Sequence, residues 1–84
     1  MPVLDPDRQE RRNGFNLLVG FNIYKLRQRK GISPTELADQ ADIDVSKLYR
    51  AENGERALSF YEASHIATAL GVELEYLTKA HRSR

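Results

Sequence analysis

Residues that begin and end helices recur at short intervals along the chain, and they constrain its fold more than any other feature. Candidate N-caps and glycine stops lie between apolar segments at Gly31, Ser33, Asp44, Gly54, Ser59 and Gly71. Serine and aspartate accept hydrogen bonds from the first free N–H groups of a helix, whereas glycine readily adopts the left-handed conformation that ends one. Since no segment alternates like a strand, the sequence predicts an all-α fold.

The first predicted helix covers residues 15–30 and ends at Gly31. Its apolar stripe consists of Val19, Ile23 and Leu26. Ahead of it, Asp5-Pro6-Asp7 is expected to cap a short helix that Asn13-Gly14 breaks. Residues 1–14 are therefore interpreted as an N-terminal extension.

The second predicted helix begins at Ser33, with Pro34 in its first turn. Glu36 stands three residues after Ser33, the spacing of a capping box. The inner face of this helix is formed by Leu37, Ala38 and Ala41. The connection from the first helix is only a few residues long.

The third predicted helix has Asp44 as its N-cap and ends near Asn53. It follows the second helix after a tight turn, and few of its residues are apolar: Leu48, Ala51 and Val45. Its outward face presents Ser46, Lys47, Tyr49 and Arg50. A helix that exposes a polar face suits the major groove of DNA, which is wide enough to admit it.

Two further helices are predicted before the chain ends. Ser59 and Glu62 form a second capping-box pattern, and Gly71 stops the helix that follows. A short fifth helix over residues 73–80 precedes a tail at 81–84. The prediction is a compact five-helix domain over residues 15–80.

Composition excludes several classes of protein. The 84 residues contain no cysteine and carry a net charge of +1, so disulfides and thiolate metal sites are excluded. No apolar run is long enough for a membrane span, and residues 1–7 do not form a secretory signal, which makes a cytoplasmic protein the expectation. His65 and His81 lack partners at metal-ligand spacing, and no serine has a neighbouring base. We therefore expect no metal, no cofactor and no catalytic site.

Several segments together resemble the XRE family of Cro and phage-repressor-like helix-turn-helix domains. They are Gly20-Phe21-Asn22-Ile23-Tyr24-Lys25-Leu26-Arg27, Lys30-Gly31-Ile32-Ser33-Pro34-Thr35-Glu36-Leu37-Ala38, Glu52-Asn53-Gly54-Glu55-Arg56 and Ile66-Ala67-Thr68-Ala69-Leu70-Gly71-Val72. The resemblance covers about Val19 to Leu77 in unbroken register. It implies a five-helix DNA-binding domain and a function in transcription regulation rather than an enzyme.

The resemblance also implies which residues contact DNA. Base contacts carry over to Val45, Ser46 and Arg50, and Arg50 is the strongest candidate because a guanidinium can bind guanine O6 and N7 together. Backbone contacts carry over to Thr35, Asn53 and Arg56, and Lys47 and Tyr49 are expected to touch phosphate or the groove wall. Free N–H groups at a helix start and a glycine turn bind phosphate oxygens on physical grounds alone.

Arg27 and Glu52 match two positions that the family pairs as a partly buried ion pair, so they are assigned to structure. Four positions depart from the family pattern. Pro34 replaces a common glutamine, and Asp42 and Asp44 place acids around the recognition turn. Ala51 replaces a larger apolar residue, which is expected to leave space in the core for Tyr61 or Phe60.

The resulting hypothesis is a repressor-type regulator that binds double-stranded DNA as a homodimer on a two-fold-related operator. The dimer surface is expected on the C-terminal helix, at Leu74, Tyr76 and Leu77, with half-sites about 34–36 Å apart. Stand-alone members of this size include restriction–modification controllers, phage repressors and antitoxins, and residues 53–60 resemble the controllers. The alternative is a protein-interaction module, antitoxin-like or a scaffold, with the same fold and little DNA affinity, which the acid-rich second helix motivates.

Overall fold

The computed structural model describes residues 6–81, with side chains from residue 11 onward. Four α-helices and one 3₁₀ helix account for the regular structure in this range, which contains no strand. The elements are α1 (Pro6–Lys30), α2 (Pro34–Ala41), α3 (Val45–Glu52), α4 (Phe60–Leu70) and the C-terminal 3₁₀ helix (Leu74–Thr78). The all-α prediction is confirmed. None of these helices is long and apolar enough to cross a membrane.

Three predicted N-caps form as the sequence indicated. The side chains of Ser33, Asp44 and Ser59 accept backbone N–H bonds at the starts of α2, α3 and α4. Only Ser59 has the full reciprocal box, because the Glu62 carboxylate also accepts the Ser59 N–H at 3.0 Å. The capping box predicted at Ser33 is half wrong: the Glu36 carboxylate accepts from the Ser33 hydroxyl at 3.3 Å instead of from its backbone.

The break predicted at Asn13-Gly14 is wrong, since α1 continues through both residues. A glycine inside a helix costs only about 1 kcal/mol relative to alanine, which the rest of a 25-residue helix offsets. Pro6 occupies the first helical position, where its missing N–H is not needed. The proposed cap at Asp5 and residues 82–84 of the predicted tail lie outside the described residues.

The core lies between α1 on one side and α2, α3 and α4 on the other. Its fully buried large side chains are Ile23, Leu37, Leu48, Ile66, Leu70 and Leu77. Ile23, Leu37 and Leu48 belong to the apolar faces predicted for the first three helices, so these inward faces are as expected. The core fixes the relative placement of α2 and α3, the two helices of the helix-turn-helix.

The C-terminal element differs from its prediction. A five-residue 3₁₀ helix stands where an α-helix over 73–80 was expected. Leu77 is completely buried in its own domain, so it cannot form part of an exposed dimer surface. The Asn22 amide donates to the carbonyls of Leu77 and Lys79 at 2.9 and 2.8 Å, which ties the end of this element to α1.

Helix α1 approaches the last turn of α3 at Gly20. A Cβ at this position would overlap the backbone oxygens of Ala51 and Glu52. Ala51 also lines an open groove that neither ring fills, so the expectation that Tyr61 or Phe60 occupies the space beside it is wrong. Both rings lie largely in solvent, 62% and 79% exposed respectively.

Candidate nucleic-acid interface

Helix α3 is held at its inner face and presents its outer face to solvent. Leu48 and Ala51 are its buried residues. Its exposed residues are Ser46, Lys47, Tyr49 and Arg50. Ser46 and Arg50 are four residues apart and share a face, as do Val45 and Tyr49 beside them. Val45 is half-buried and packs against the core, so only part of its side chain faces outward.

The end of α3 is attached to the domain by the Arg27–Glu52 ion pair. Arg27 Nε donates to Glu52 Oε2 at 3.0 Å and Nη2 donates to Oε1 at 2.9 Å. A third bond runs from Nη1 to the carbonyl of Ile32 at 3.1 Å. The bonds to Glu52 raise the pKa of Arg27 above its ordinary value. This network joins α1, the turn before α2 and the recognition helix.

The start of α3 is organised by one carboxylate oxygen. Asp44 Oδ1 accepts the Ser46 backbone N–H at 2.8 Å and the Ser46 hydroxyl at 2.7 Å. The bond from the hydroxyl, and then that from the backbone, lower the pKa of Asp44, so this fully exposed group stays ionised. The two residues therefore act together: the acid caps the helix and also orients the hydroxyl predicted to contact a base.

The segment after α3 turns sharply beneath α1. Gly54 has φ +73°, and a Cβ there would overlap the side chain of Leu17. Glycine is thus required at this position both for its conformation and for the close contact. Asn53, predicted to contact the DNA backbone, is exposed at the C-terminus of α3 beside this turn.

Lys47 and Arg56, two predicted backbone contacts, converge on the carboxylate of Glu62. Lys47 Nζ and Arg56 Nη2 lie 3.7 and 3.5 Å from the same oxygen, Glu62 Oε2. The Nε of Arg56 is buried and has no hydrogen-bond partner within the described residues. Part of their positive charge is therefore balanced by Glu62, a pairing that the sequence did not predict.

The sequence predicted a capping role for Glu62 but not its ion pairs. The Ser59 backbone N–H and the nearby cations Arg56 and Lys47 lower its pKa. Its capping-box position predicted its contact with Ser59, but the ion pairs join residues from separate segments and leave no local signal.

Thr35 is exposed in the first turn of α2, as a backbone contact there requires.

The two histidines have aromatic and backbone partners. His65 lies against the Tyr61 ring, with centroids 4.2 Å apart. His81 stacks on Tyr76 at 3.7 Å, and its Nε2 lies 2.7 Å from the Tyr76 carbonyl oxygen. Within the part of the chain that the structure describes, no group of three or more His, Cys, Asp or Glu residues could hold a metal ion.

Two consecutive short helices, a tight turn and a polar outer face on the second helix define the class of a DNA-binding helix-turn-helix protein. A family model described as helix-turn-helix matches residues 23–77, and the chain belongs to this family of non-enzymatic DNA-binding regulators. The XRE resemblance found in the sequence is thereby confirmed.

Two solved structures are similar to the chain. The restriction-modification controller protein C.AhdI from Aeromonas hydrophila is 32% identical, with a TM-score of 0.72 over 74% of this chain and 94% of the controller. A hypothetical transcription factor, NHTF, from Neisseria is 26% identical, with a TM-score of 0.74 over 94% of this chain and 86% of that one. A search of curated protein sequences found no significant match.

Proposed function

We propose that the chain is a cytoplasmic, sequence-specific transcriptional regulator that binds a two-fold-related operator as a homodimer. In this proposal α3 enters the major groove, with Ser46 and Arg50 at base edges and Val45 against a thymine methyl group. Thr35, Lys47, Tyr49, Asn53 and Arg56 contact phosphates or the groove wall. The likeness to a restriction-modification controller and to a transcription factor supports the regulatory role.

The observation that carries the proposal is the asymmetry of α3. One side is anchored by Leu48, Ala51 and the Glu52 ion pair, whereas the other side exposes a hydroxyl, an amine, a phenol and a guanidinium. Four polar groups on one anchored helix supply both donors and acceptors for base edges and phosphates.

Because Leu77 is buried and Leu74 and Tyr76 are only partly exposed, the surface through which two copies associate has to extend beyond the C-terminal element expected for it. An apolar groove of about 370 Å³ lies between the N-terminal half of α1, the start of α4 and the 3₁₀ helix. Its apolar walls include Phe15, Val19, Leu58, Phe60, Ala63 and Leu74. Phe15 is 50% exposed and Phe60 is 79% exposed. We place the dimer surface at this groove.

A second copy suits the groove because a two-fold interface uses the same surface twice. The patch holds both a depression and a protruding ring, Phe60, so each protomer can insert its ring into the groove of its partner. The exposed parts of Phe15 and Phe60 amount to roughly 200–300 Å² per protomer, since a fully buried aromatic side chain contributes about 150–250 Å². A stable interface buries about 800 Å² per partner, so the surface around the groove has to contribute the rest.

Selection of bound DNA from a random pool tests the proposal, because it reports binding, sequence preference and symmetry together. We expect a palindromic consensus whose affinity falls steeply with salt, as several phosphate contacts require. An asymmetric single half-site would contradict the dimer. If no sequence is enriched, the DNA-binding function itself is wrong and the protein-interaction module becomes the better description.

A further inference from the structure

We infer that Ser46 reads the operator only as a hydrogen-bond acceptor, and therefore selects an amino-bearing base, cytosine or adenine, at the base pair it faces. The inference rests on the proposed function, since it assigns the chemical preference of one position in that DNA site. It goes beyond the general ability of serine, which can bond to any base or to phosphate.

The hydrogen bond from Ser46 to Asp44 carries this inference. A serine hydroxyl has one proton to donate and two lone pairs that accept. In this chain the proton is given to Asp44 Oδ1 at 2.7 Å. What remains for a ligand at Ser46 Oγ is acceptor capacity alone.

The bond is strong enough to persist beside DNA because its acceptor is ionised. Charge-assisted bonds of this kind are about twice as strong as neutral ones. The Ser46 backbone N–H also holds the Asp44 oxygen in place, at 2.8 Å. Rotating the Ser46 hydroxyl toward DNA would therefore break its bond to this carboxylate. A base offering only acceptors would meet a hydroxyl whose proton is already committed and a carboxylate that cannot donate.

The chemistry of the major groove converts this restriction into a base preference. Cytosine presents the N4 amino group there and adenine the N6 amino group, whereas guanine O6 and N7 and thymine O4 are acceptors. Arg50, one turn further along the same face, is a donor-only side chain and selects guanine. On this face of α3, Ser46 thus offers an acceptor in the first turn and Arg50 offers donors one turn later.

Selection from random DNA with three variants of the full chain tests the inference. Ser46→Ala identifies the base pair that Ser46 faces, as the position where preference is lost, and it should weaken binding to the selected site about threefold to tenfold. The wild-type protein should prefer cytosine or adenine at that position. Asp44→Gly frees the hydroxyl proton while glycine remains an acceptable N-cap, so the preference should widen to guanine and thymine.

Asp42→Gly is the matched control for Asp44→Gly. It removes an equivalent exposed negative charge from the same turn, and at φ 56° Asp42 already occupies a conformation that glycine favours. Asp42→Gly should leave the base preference unchanged.

Three results would overturn the inference: a wild-type preference for guanine or thymine at the Ser46 position, a Ser46→Ala variant with unaltered selectivity, or equal widening in both aspartate variants. The proposed function would survive each of these results if the selected DNA contains a guanine whose enrichment is lost when Arg50 is replaced. Failure of the wild-type protein to enrich any DNA overturns the function and the inference together.

Discussion

Arg27 and Glu52 are joined by two hydrogen bonds of 3.0 and 2.9 Å, and both side chains are about nine-tenths buried. The pair links the last turn of α1 to the last residue of α3. Its geometry is bidentate, which fixes orientation as well as distance. The position of the recognition helix therefore depends on a contact that lies on the opposite side from the proposed DNA surface.

Replacing Arg27 by alanine should destabilise the fold by about 3–5 kcal/mol, because Glu52 would remain buried without its partner. Urea unfolding measures the change. Arg29→Ala is the control, since Arg29 is exposed in the last turn of the same helix and its loss should cost less than about 1 kcal/mol. Equal stability of the Arg27 variant and the wild-type protein would show that the pair is not structural.

Two glycines of α1 should respond in opposite ways to the same substitution. Gly20→Ala places a methyl group against the backbone oxygens of Ala51 and Glu52, and should destabilise the protein by about 1–3 kcal/mol. Gly14→Ala meets nothing within 4 Å and should stabilise it by up to about 1 kcal/mol through helix propensity. Thermal unfolding of the two variants checks both signs, and a tolerated Gly20→Ala would contradict the close packing described for α1 and α3.

Arg50 should contribute to sequence preference, whereas Arg56 should contribute to affinity for any DNA sequence. Arg50→Ala should relax the preference at one base pair by about 1–3 kcal/mol, because a bidentate guanine contact is lost. Arg56→Ala should weaken all sequences about equally and reduce the salt slope by about 1. Gel shifts on matched and mismatched sites across a salt series separate the two effects. A sequence-dependent loss for Arg56→Ala would move it from the phosphates to the bases.

Phe60→Ala should weaken association of two copies by at least about thirtyfold, which is the effect of removing an interface anchor of about 2 kcal/mol. Sedimentation equilibrium measures the dissociation constant. Phe21→Ala is the matched control, because Phe21 is 51% exposed on α1 but does not line the groove. If the control variant dissociates and the Phe60 variant does not, the dimer surface lies elsewhere.

Acid should weaken the start of α4 through Glu62. Its pKa is lower in the folded protein than its ordinary value of 4.5, so the stability it contributes is present above that pH and is lost as pH falls through the folded pKa. Glu62→Gln should flatten this acid loss, as measured by unfolding midpoints at decreasing pH. The exposed Glu73→Gln variant should keep the wild-type profile, and an identical slope for Glu62→Gln would exclude Glu62 as the titrating group.

The starts of α2, α3 and α4 and the ends of α1 and α4 were predictable because their signals are local. Ser33, Asp44 and Ser59 each bond to an N–H group two or three residues away, and Gly31 and Gly71 adopt the left-handed conformation after the helix they end. Such contacts depend on neighbours in sequence. The same is true of the outward face of α3, which the helical period defines.

The features that the sequence did not predict depend on contacts between residues far apart in the chain. Asn22 bonds to carbonyls 55 and 57 residues away, and nothing near it distinguishes this amide from a solvated one. The burial of Leu77 and the exposure of Phe60 likewise follow from how α1, α4 and the 3₁₀ helix pack together, not from their apolar character. The ion pairs of Glu62 with Lys47 and Arg56 belong to the same class of contact.

The absence of a side chain at Gly20 affects which substitutions can alter the orientation of α3. The backbone of α1 packs directly against the last turn of α3 at position 20. The size of the residue at this position therefore sets the angle between α1 and α3. A larger residue there would tilt α3 without touching any nucleotide. In the proposed complex, operator preference could therefore be altered from the side of α3 that faces away from DNA, by paired changes at positions 20 and 51.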